Sequence, residues 1–375
     1  MTDHFLFENL TWPEVAELNR ETSLVLPLGD GYDKVETEQI LGSPSSIGWL
    51  PALPYGWQGS GLEVPEEILS ACIANLVNCL IEDGFQHVFV LHPVGVKISS
   101  NDRKVTPNRD NPIPRIDLDT IDRSKVILIP IGHTEQHALH LPLNVDTLCI
   151  EAVMEGTVSA SPRKCSCLPV FPYGVSTHRN SFPGTFNMGG RAFEDFFLAI
   201  VDWLNSRGFQ RIYLNSGHGG NVSFLVNVVK YSGERHPEGF CATTWLYLNG
   251  PEGAVALEEL RDSKIGGMGH ACELETSLMI HLRPELVHME RVVDEIDFIS
   301  SASYSMEWNE TGALVANPPW KDDTLTGAYG AGSLASAEKG AAWLQAAIRE
   351  KMGHVEEIIY QHSERVKKRK RKKPN

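Results

Sequence analysis

The stretch Trp203-Leu204-Asn205-Ser206-Arg207-Gly208-Phe209-Gln210-Arg211-Ile212-Tyr213-Leu214-Asn215 decides the fold class. Residues 191–207 are amphipathic at helical spacing, Gly208 ends that run where a residue without a Cβ takes a left-handed turn cheaply, and 211–215 is a short apolar strand. Helix, glycine and strand in immediate succession are the repeating unit of an α/β layer fold. The same unit occurs upstream, where Asp83-Gly84-Phe85-Gln86-His87-Val88-Phe89-Val90-Leu91 follows a helical run over 65–83.

Two further echoes keep the same order. Leu26-Pro27-Leu28-Gly29 answers Ile129-Pro130-Ile131-Gly132, and Leu53-Pro54-Tyr55-Gly56 answers Phe171-Pro172-Tyr173-Gly174. Together they predict an internal duplication. The upstream copy has Asp30-Gly31-Tyr32-Asp33 and His92-Pro93-Val94-Gly95 where the downstream copy carries clustered histidines and acids. Residues 1–114 therefore read as a degenerate partial α/β repeat without catalytic residues. The polar, proline-rich run 99–115 reads as a linker, 115–363 as the catalytic domain and 364–375 as a disordered basic tail. Strands are expected over 23–28, 125–131 and 242–248, and further helices over 145–158, 221–234, 272–282 and 333–349.

Composition narrows the function. The 375 residues carry 33 Lys plus Arg against 48 Asp plus Glu, a formal charge of −15, which disfavours general nucleic-acid binding. Eight basic residues lie between Arg365 and Lys373, which leaves the body near −23. Seven cysteines without a CxxC pair point to neither a disulfide framework nor a zinc ribbon, and fit a reducing cytosol. The start lacks a basic, apolar leader, and no stretch reaches the ~18 apolar residues of a membrane span. A soluble, cytoplasmic protein with a small-molecule substrate is expected.

The chemistry lies downstream of residue 115. Gly132-His133-Thr134-Glu135-Gln136-His137-Ala138-Leu139-His140 leads to Asp146, so Glu135, His137 and Asp146 offer two carboxylates and an imidazole to one small volume. Such a mixture suits Zn, Mn or Fe(II) better than Ca, although a solvated or capping loop would use the same residues. In Asn215-Ser216-Gly217-His218-Gly219-Gly220-Asn221, a strand end passes into a helix through glycines that admit close backbone approach to an anion or a metal-bound group. No Lys-Ser/Thr follows, which disfavours a P-loop. Gly269-His270-Ala271-Cys272-Glu273-Leu274-Glu275 places His270 in a loop entering a helix and Glu275 on its first turn. A Cys272 thiol nucleophile is the competing reading, and it leaves the acid and histidine cluster without a role. His178-Arg179-Asn180-Ser181-Phe182-Pro183-Gly184-Thr185 reads as a substrate-facing loop.

These segments, with His140-Leu141-Pro142-Leu143 and Leu282-Arg283-Pro284, resemble the creatininase (creatinine amidohydrolase) family in order and spacing over about residues 115–350. The resemblance implies a three-layer α/β/α fold, a homo-hexamer and two divalent metal ions, Zn, Mn or Fe. It places Glu135 and His218 on one ion, His137 on the other and Asp146 between them. A further carboxylate stands at the Gly220 position in creatininase itself. Here Glu275 is the expected substitute, with Glu273 behind it. His270 is the expected proton carrier and His178, Trp245, Gly219 and Thr185 the expected substrate contacts, with Glu275 and His178 grouped with His270 as catalytic. His133 and His140 are expected to orient ligands.

The implied reaction is hydrolysis by a hydroxide held between the two ions. The substrate ranked first is a small cyclic amide, followed by C–C cleavage of a cyclic polyol diketone of the 3-dehydro-scyllo-inosose type. A metal-binding assembly subunit without turnover is the remaining alternative. The aromatic residue that closes over substrate in creatininase has no counterpart in Ile265-Gly266-Gly267-Met268-Gly269, which argues against creatinine itself.

Overall fold

Apolar strands around 23–27 and 126–131 become the centres of two separate parallel sheets in the computed structural model of the chain, which describes residues 2–99, 103–105, 116–177, 181–308 and 313–372. The first half runs β1 (Asp3–Leu6), α1 (Trp12–Glu17), β2 (Ser23–Pro27), α2 (Lys34–Ile40), β3 (Ser46–Trp49), α3 (Glu66–Glu82), β4 (His87–Leu91) and β5 (Arg103–Val105). Its strands pair in the order β1-β3-β2-β4-β5, all parallel. The second half continues with β6 (Val126–Ile131), α4 (Val145–Ala160), β7 (Cys165–Cys167), α5 (Gly190–Ser206), β8 (Arg211–Ser216), α6 (Val222–Arg235) and β9 (Phe240–Thr243). These strands pair in the order β7-β6-β8-β9, again parallel. After them come α7 (Pro251–Leu260), β10 (Met268–His270), α8 (Glu273–Leu282), β11 (Tyr329–Gly330) and the long α9 (Ala337–Lys372), with β10 and β11 antiparallel.

Strand periodicity assigns the layers. Ile127, Ile129 and Ile131 of β6 enter one core and Val126 and Leu128 enter the other, because successive side chains leave a strand on opposite faces. The first core also takes Leu24 and Leu26 of β2, the apolar faces of α3 and α5, and Phe171 and Tyr55, so one continuous interior serves both sheets. The second core lies under α4, α8 and α9. The downstream sheet is thus the middle of an α/β/α sandwich. On the far side of the upstream sheet a smaller cluster of Val25, Ile47, Trp49 and Leu91 is buried, with Ile40 of α2 packed against it.

The echoed motifs occupy matching places. Leu28 bridges Leu53 and Ile131 bridges Phe171, both in parallel. Gly29 N donates to Leu53 O at 2.9 Å as Gly132 N does to Phe171 O at 2.8 Å. Gly84 and Gly208 end α3 and α5 at φ 97° and 88°. Each lets the following phenylalanine amide reach back, Phe85 to Leu80 O and Phe209 to Leu204 O.

Three expectations need correction. The run 242–248 is a strand only as far as Thr243, because Leu246 turns into the left-handed region at φ 35° and its carbonyl accepts hydrogen bonds from Thr244 and Lys351. The 99–115 linker contains β5, which pairs with β4. The basic tail is helical to Lys372. Arg365 lies over the Phe240 ring at 5.2 Å and Arg369 bonds to the carbonyls of Pro237 and Glu238, so the body holds the last turns and extension adds one hydrogen bond per residue fixed. No described helix is long and apolar enough to cross a membrane.

Candidate metal centre

In parallel sheets, loops at the carboxyl ends of strands converge on one side. The loop after β6 carries His133, Glu135 and His137 and closes with Glu135 N donating to Leu143 O, three residues before Asp146 on the first turn of α4. His218 follows β8, His270 is the last residue of β10, and Glu275 lies on the first turn of α8. Close approach of these loops needs Gly217, where a Cβ would stand 2.2 Å from Asp146 O. Ala138 and Ala271, each following a cluster histidine, hold left-handed φ values of 56° and 48°, local strain of the kind found at functional sites.

Each of three imidazoles has one nitrogen tied to a backbone carbonyl. His218 Nε2 donates to Val175 O at 3.0 Å, His137 Nδ1 to Glu135 O at 3.1 Å and His270 Nε2 to Gln136 O at 2.7 Å. Since a carbonyl only accepts, the proton of the neutral ring sits on the tied nitrogen and the other nitrogen presents a lone pair. Those lone pairs face carboxylates. His218 Nδ1 is 3.0 Å from Glu135 Oε1 and 3.3 Å from Asp146 Oδ2, His137 Nε2 is 3.3 Å from Asp146 Oδ1, and His270 Nδ1 is 3.8 Å from Glu135 Oε1. Glu275 offers an oxygen within 4.8 Å of ligand atoms of His137 and Asp146. Lone pair against carboxylate is repulsive unless positive charge lies between.

The titration behaviour expresses the same demand. Burial alone would depress His137, yet Asp146, Glu275 and Glu135 outweigh it and push the imidazole up to about 9. His218 is likewise held well above its ordinary value, against its burial, chiefly by Glu135 and Asp146. Burial pushes Glu275 up to about 7. His270 goes the other way, down to about 3, through burial and the neighbouring His137 charge. Buried Nε2 of His137 and Oε2 of Glu275 have no hydrogen-bond partner. Imidazole nitrogens and carboxylate oxygens in this arrangement fit a divalent metal ion, and Asp146 turns one oxygen toward each of His137 and His218.

Neighbouring residues separate into distinct roles. Gly174 N donates to His133 Nδ1 at 2.9 Å, so the His133 proton is on Nε2, which lies 3.9 Å from Glu135 Oε2. His140 Nε2 bonds to the Thr276 hydroxyl at 2.9 Å. Glu273 points away from the cluster, accepting from the amides of Asp262 and Ser263 and from Lys339. At Gly220 a Cβ would lie 2.4 Å from both His218 Nε2 and Val175 O, cutting into the bond that orients His218, so this backbone leaves no room for a ligand side chain there.

The cluster forms the floor of a cavity of about 1270 Å³. Trp245, 41% exposed, and Gly219 line it. Thr185 does not: it is buried, and its hydroxyl accepts from Gln136 N at 3.0 Å, supporting the ligand loop from behind. His178 lies outside the described residues. An aromatic wall comes instead from residues the sequence reading passed over, Tyr304, Trp308 and Trp320, with Trp320 edge-on to His270 at 4.8 Å. Neither periodicity nor a motif marks that segment, and its tryptophans were the available signal.

Comparison with known proteins agrees with this geometry. The profile of the creatininase family, described as creatinine amidohydrolase, matches residues 116–353. The mycofactocin precursor peptide peptidase of Mycolicibacterium smegmatis is 32% identical over 178 residues, 45% of this chain and 62% of that protein. Creatinine amidohydrolase of Pseudomonas putida is 30% identical over 182 residues, 45% of this chain and 68% of that one. The 3-dehydro-scyllo-inosose hydrolase of Thermotoga maritima is 26% identical over 176 residues, 45% and 54% of the two chains. A crystal structure from Bacteroides fragilis, named for creatinine amidohydrolase, superimposes with a TM-score of 0.55 at 25% identity over 64% of this chain and 92% of that one. A manganese creatininase gives 0.50 at 25% identity over 62% and 91%.

Proposed function

The chain belongs to the creatininase family, and from that premise we propose that it is a divalent-metal-dependent hydrolase that opens a small cyclic amide. The observation that carries the reading is the set of three carbonyl-tethered imidazoles whose lone pairs face Glu135 and Asp146 at 3.0 to 3.8 Å. Glu135 and His218 would hold one cation and His137 and Glu275 the other, with Asp146 available to both. Bound there, divalent cations supply Lewis acidity, which yields a nucleophilic oxygen near neutral pH and a polarised carbonyl.

The rest of the work falls to the chain. His270, with Nε2 held on Gln136 O and the ring plane fixed by the Trp320 edge, would carry the proton at Nδ1 from the attacking water to the leaving group. The His137 charge that helps depress His270 is given up once His137 ligates a cation. Trp245 and the Gly219 backbone bound the substrate on the open side. The upstream copy, read over residues 1–114, is a silent repeat whose described strands cover one face of the shared core, a reading supported by the matched bridges at Leu28–Leu53 and Ile131–Phe171.

Two measurements test this. Metal analysis of protein purified without chelator is expected to give two divalent ions per chain, and fewer than one overturns the reading. Lactams and cyclic ureides incubated with the metal-replete protein are expected to give ring-opened acids. Ring-opened acid from cyclic diketones alone moves the assignment to C–C hydrolysis.

A further inference from the structure

Glu350 and Lys351 sit side by side in α9 with exposures of 4% and 1%, far from the cation cluster in sequence and unused by the reaction. Taking such a pair out of water is costly, and an apolar pair of similar volume generally serves a core as well or better. Their partners show what they hold. Lys351 Nζ donates to Leu246 O at 3.0 Å and to Thr244 Oγ1 at 3.3 Å, and lies 3.4 Å from Glu350 Oε1. Glu350 Oε2 accepts from Gly253 N at 2.9 Å in the first turn of α7. A Cβ at Gly250 or Gly253 would come within 2.6 Å of the Glu350 carboxyl group, so the backbone is drawn tightly onto it.

The two tethers bracket one loop. On one side Thr244 also donates to Leu246 O at 3.1 Å and meets Tyr213 OH at 3.2 Å, and Leu246 keeps its left-handed φ of 35°. On the other side stands the start of α7. Between them Asn249, with its amide turned to satisfy both groups, donates to Trp245 O at 3.0 Å and accepts from Trp245 Nε1 at 3.3 Å. Trp245, Leu246 and Asn249 all line the cavity.

We propose that Glu350 and Lys351 are a positioning pair that holds the Thr244–Gly253 loop from both ends and thereby sets the Trp245 ring at the cavity mouth. Burial, opposed by Glu350, pushes Lys351 down to about 8, as expected of an enclosed ammonium. The proposal concerns the cavity wall alone, so it stands or falls independently of the hydrolase reading.

The test uses the full chain labelled with 5-fluorotryptophan, in which the eight tryptophans give separate fluorine resonances and Trp245→Phe identifies one of them. In Lys351→Met, and in Glu350→Gln/Lys351→Met, which strands no lone charge, the Trp245 line is expected to shift or broaden. The lines of Trp12, Trp57 and Trp203 stay in place and the divalent-cation content is unchanged. Thr244→Ala removes one tether without touching a charge and is expected to move the same line by less. It carries the test should both α9 variants fail to fold. An unmoved Trp245 line in a folded variant overturns the proposal, as does an equal displacement of all the lines, which marks a merely structural role.

Discussion

Strands β2 and β6 end alike and lead to different chemistry. Each finishes in a proline, an aliphatic residue and a glycine whose amide donates to the neighbouring turn, Gly29 to Leu53 and Gly132 to Phe171. After Gly132 come His133, Glu135 and His137, each with a backbone or side-chain partner in the candidate metal cluster. After Gly29 come Asp30, an exposed residue whose carboxyl is nonetheless pushed up by partial desolvation, and Tyr32, whose hydroxyl donates to Leu28 O. The contrast teaches that pairing and core packing specify the strand ends without specifying a site. A site also needs carbonyl-tethered imidazoles turned toward clustered carboxylates. Upstream, His92 has its Nδ1 3.0 Å from Pro93 O, but among the described residues the acid and histidine groups close enough to hold an ion are all downstream.

The largest expected effect separates the two ends directly. Glu135→Gln or His218→Ala should abolish turnover and reduce cation affinity by more than the ~10–100-fold typical of losing an outer partner, with the circular dichroism spectrum retained. Asp30→Asn, at the matching upstream place, should leave cation content and activity at wild-type values. Comparable losses in all three would end the contrast.

Next comes the interior that the halves share. Phe196 packs against Phe171 at 4.9 Å and Tyr55 at 6.3 Å, one from each echoed motif. Phe196→Ala should cost about 3–5 kcal/mol in denaturant titration while the chain still unfolds in one transition. Two separated transitions would show that the sheets are independent bodies.

Gly220→Ala should be milder, about 1–3 kcal/mol for the crowding at His218 Nε2 and Val175 O, with weaker cation binding by calorimetry. Unchanged affinity would remove the Val175 tether from the account.

The smallest effect is a slope. Burial, with Asp30 adding to it and a backbone hydrogen bond opposing, pushes Glu8 from 4.5 up to about 7, and its Oε2 has no hydrogen-bond partner. Between those pH values the folded chain keeps a proton that the unfolded chain has released, so the contribution of Glu8 to stability falls as pH rises through the window. Glu8→Gln should flatten that part of the stability profile, and an unaltered profile would place the Glu8 carboxyl in water.

Much of this was legible from sequence because it is written locally. Gly84 and Gly208 mark helix ends by their own backbone freedom, and Glu135, His137, Asp146, His218 and Glu275 are brought together because each flanks a strand end or opens a helix. What escaped depends on partners remote in the chain. The loop at 244–250 looks like continued strand, since Leu246-Tyr247-Leu248 is apolar, until Lys351 draws the Leu246 carbonyl inward from 105 residues away. The basic run after Arg365 has the composition of a solvated tail, and only the docking of Arg365 and Arg369 onto residues 237–240 keeps it wound. Thr185 sits in a loop read as substrate-facing, but its hydroxyl is consumed by the Gln136 amide.

The tethers on His137, His218 and His270 are all main-chain oxygens, and this has a bearing on how such a scaffold diversifies. A carbonyl survives any exchange of the side chain beside it, so drift at Val175 leaves the aim of the His218 ring untouched, whereas Gln136 also places its side-chain amide 3.2 Å from His270 Nε2. Selection can then rework the aromatic rim, contributed by separate loops, and try new molecules in the cavity while the reacting core is inherited intact.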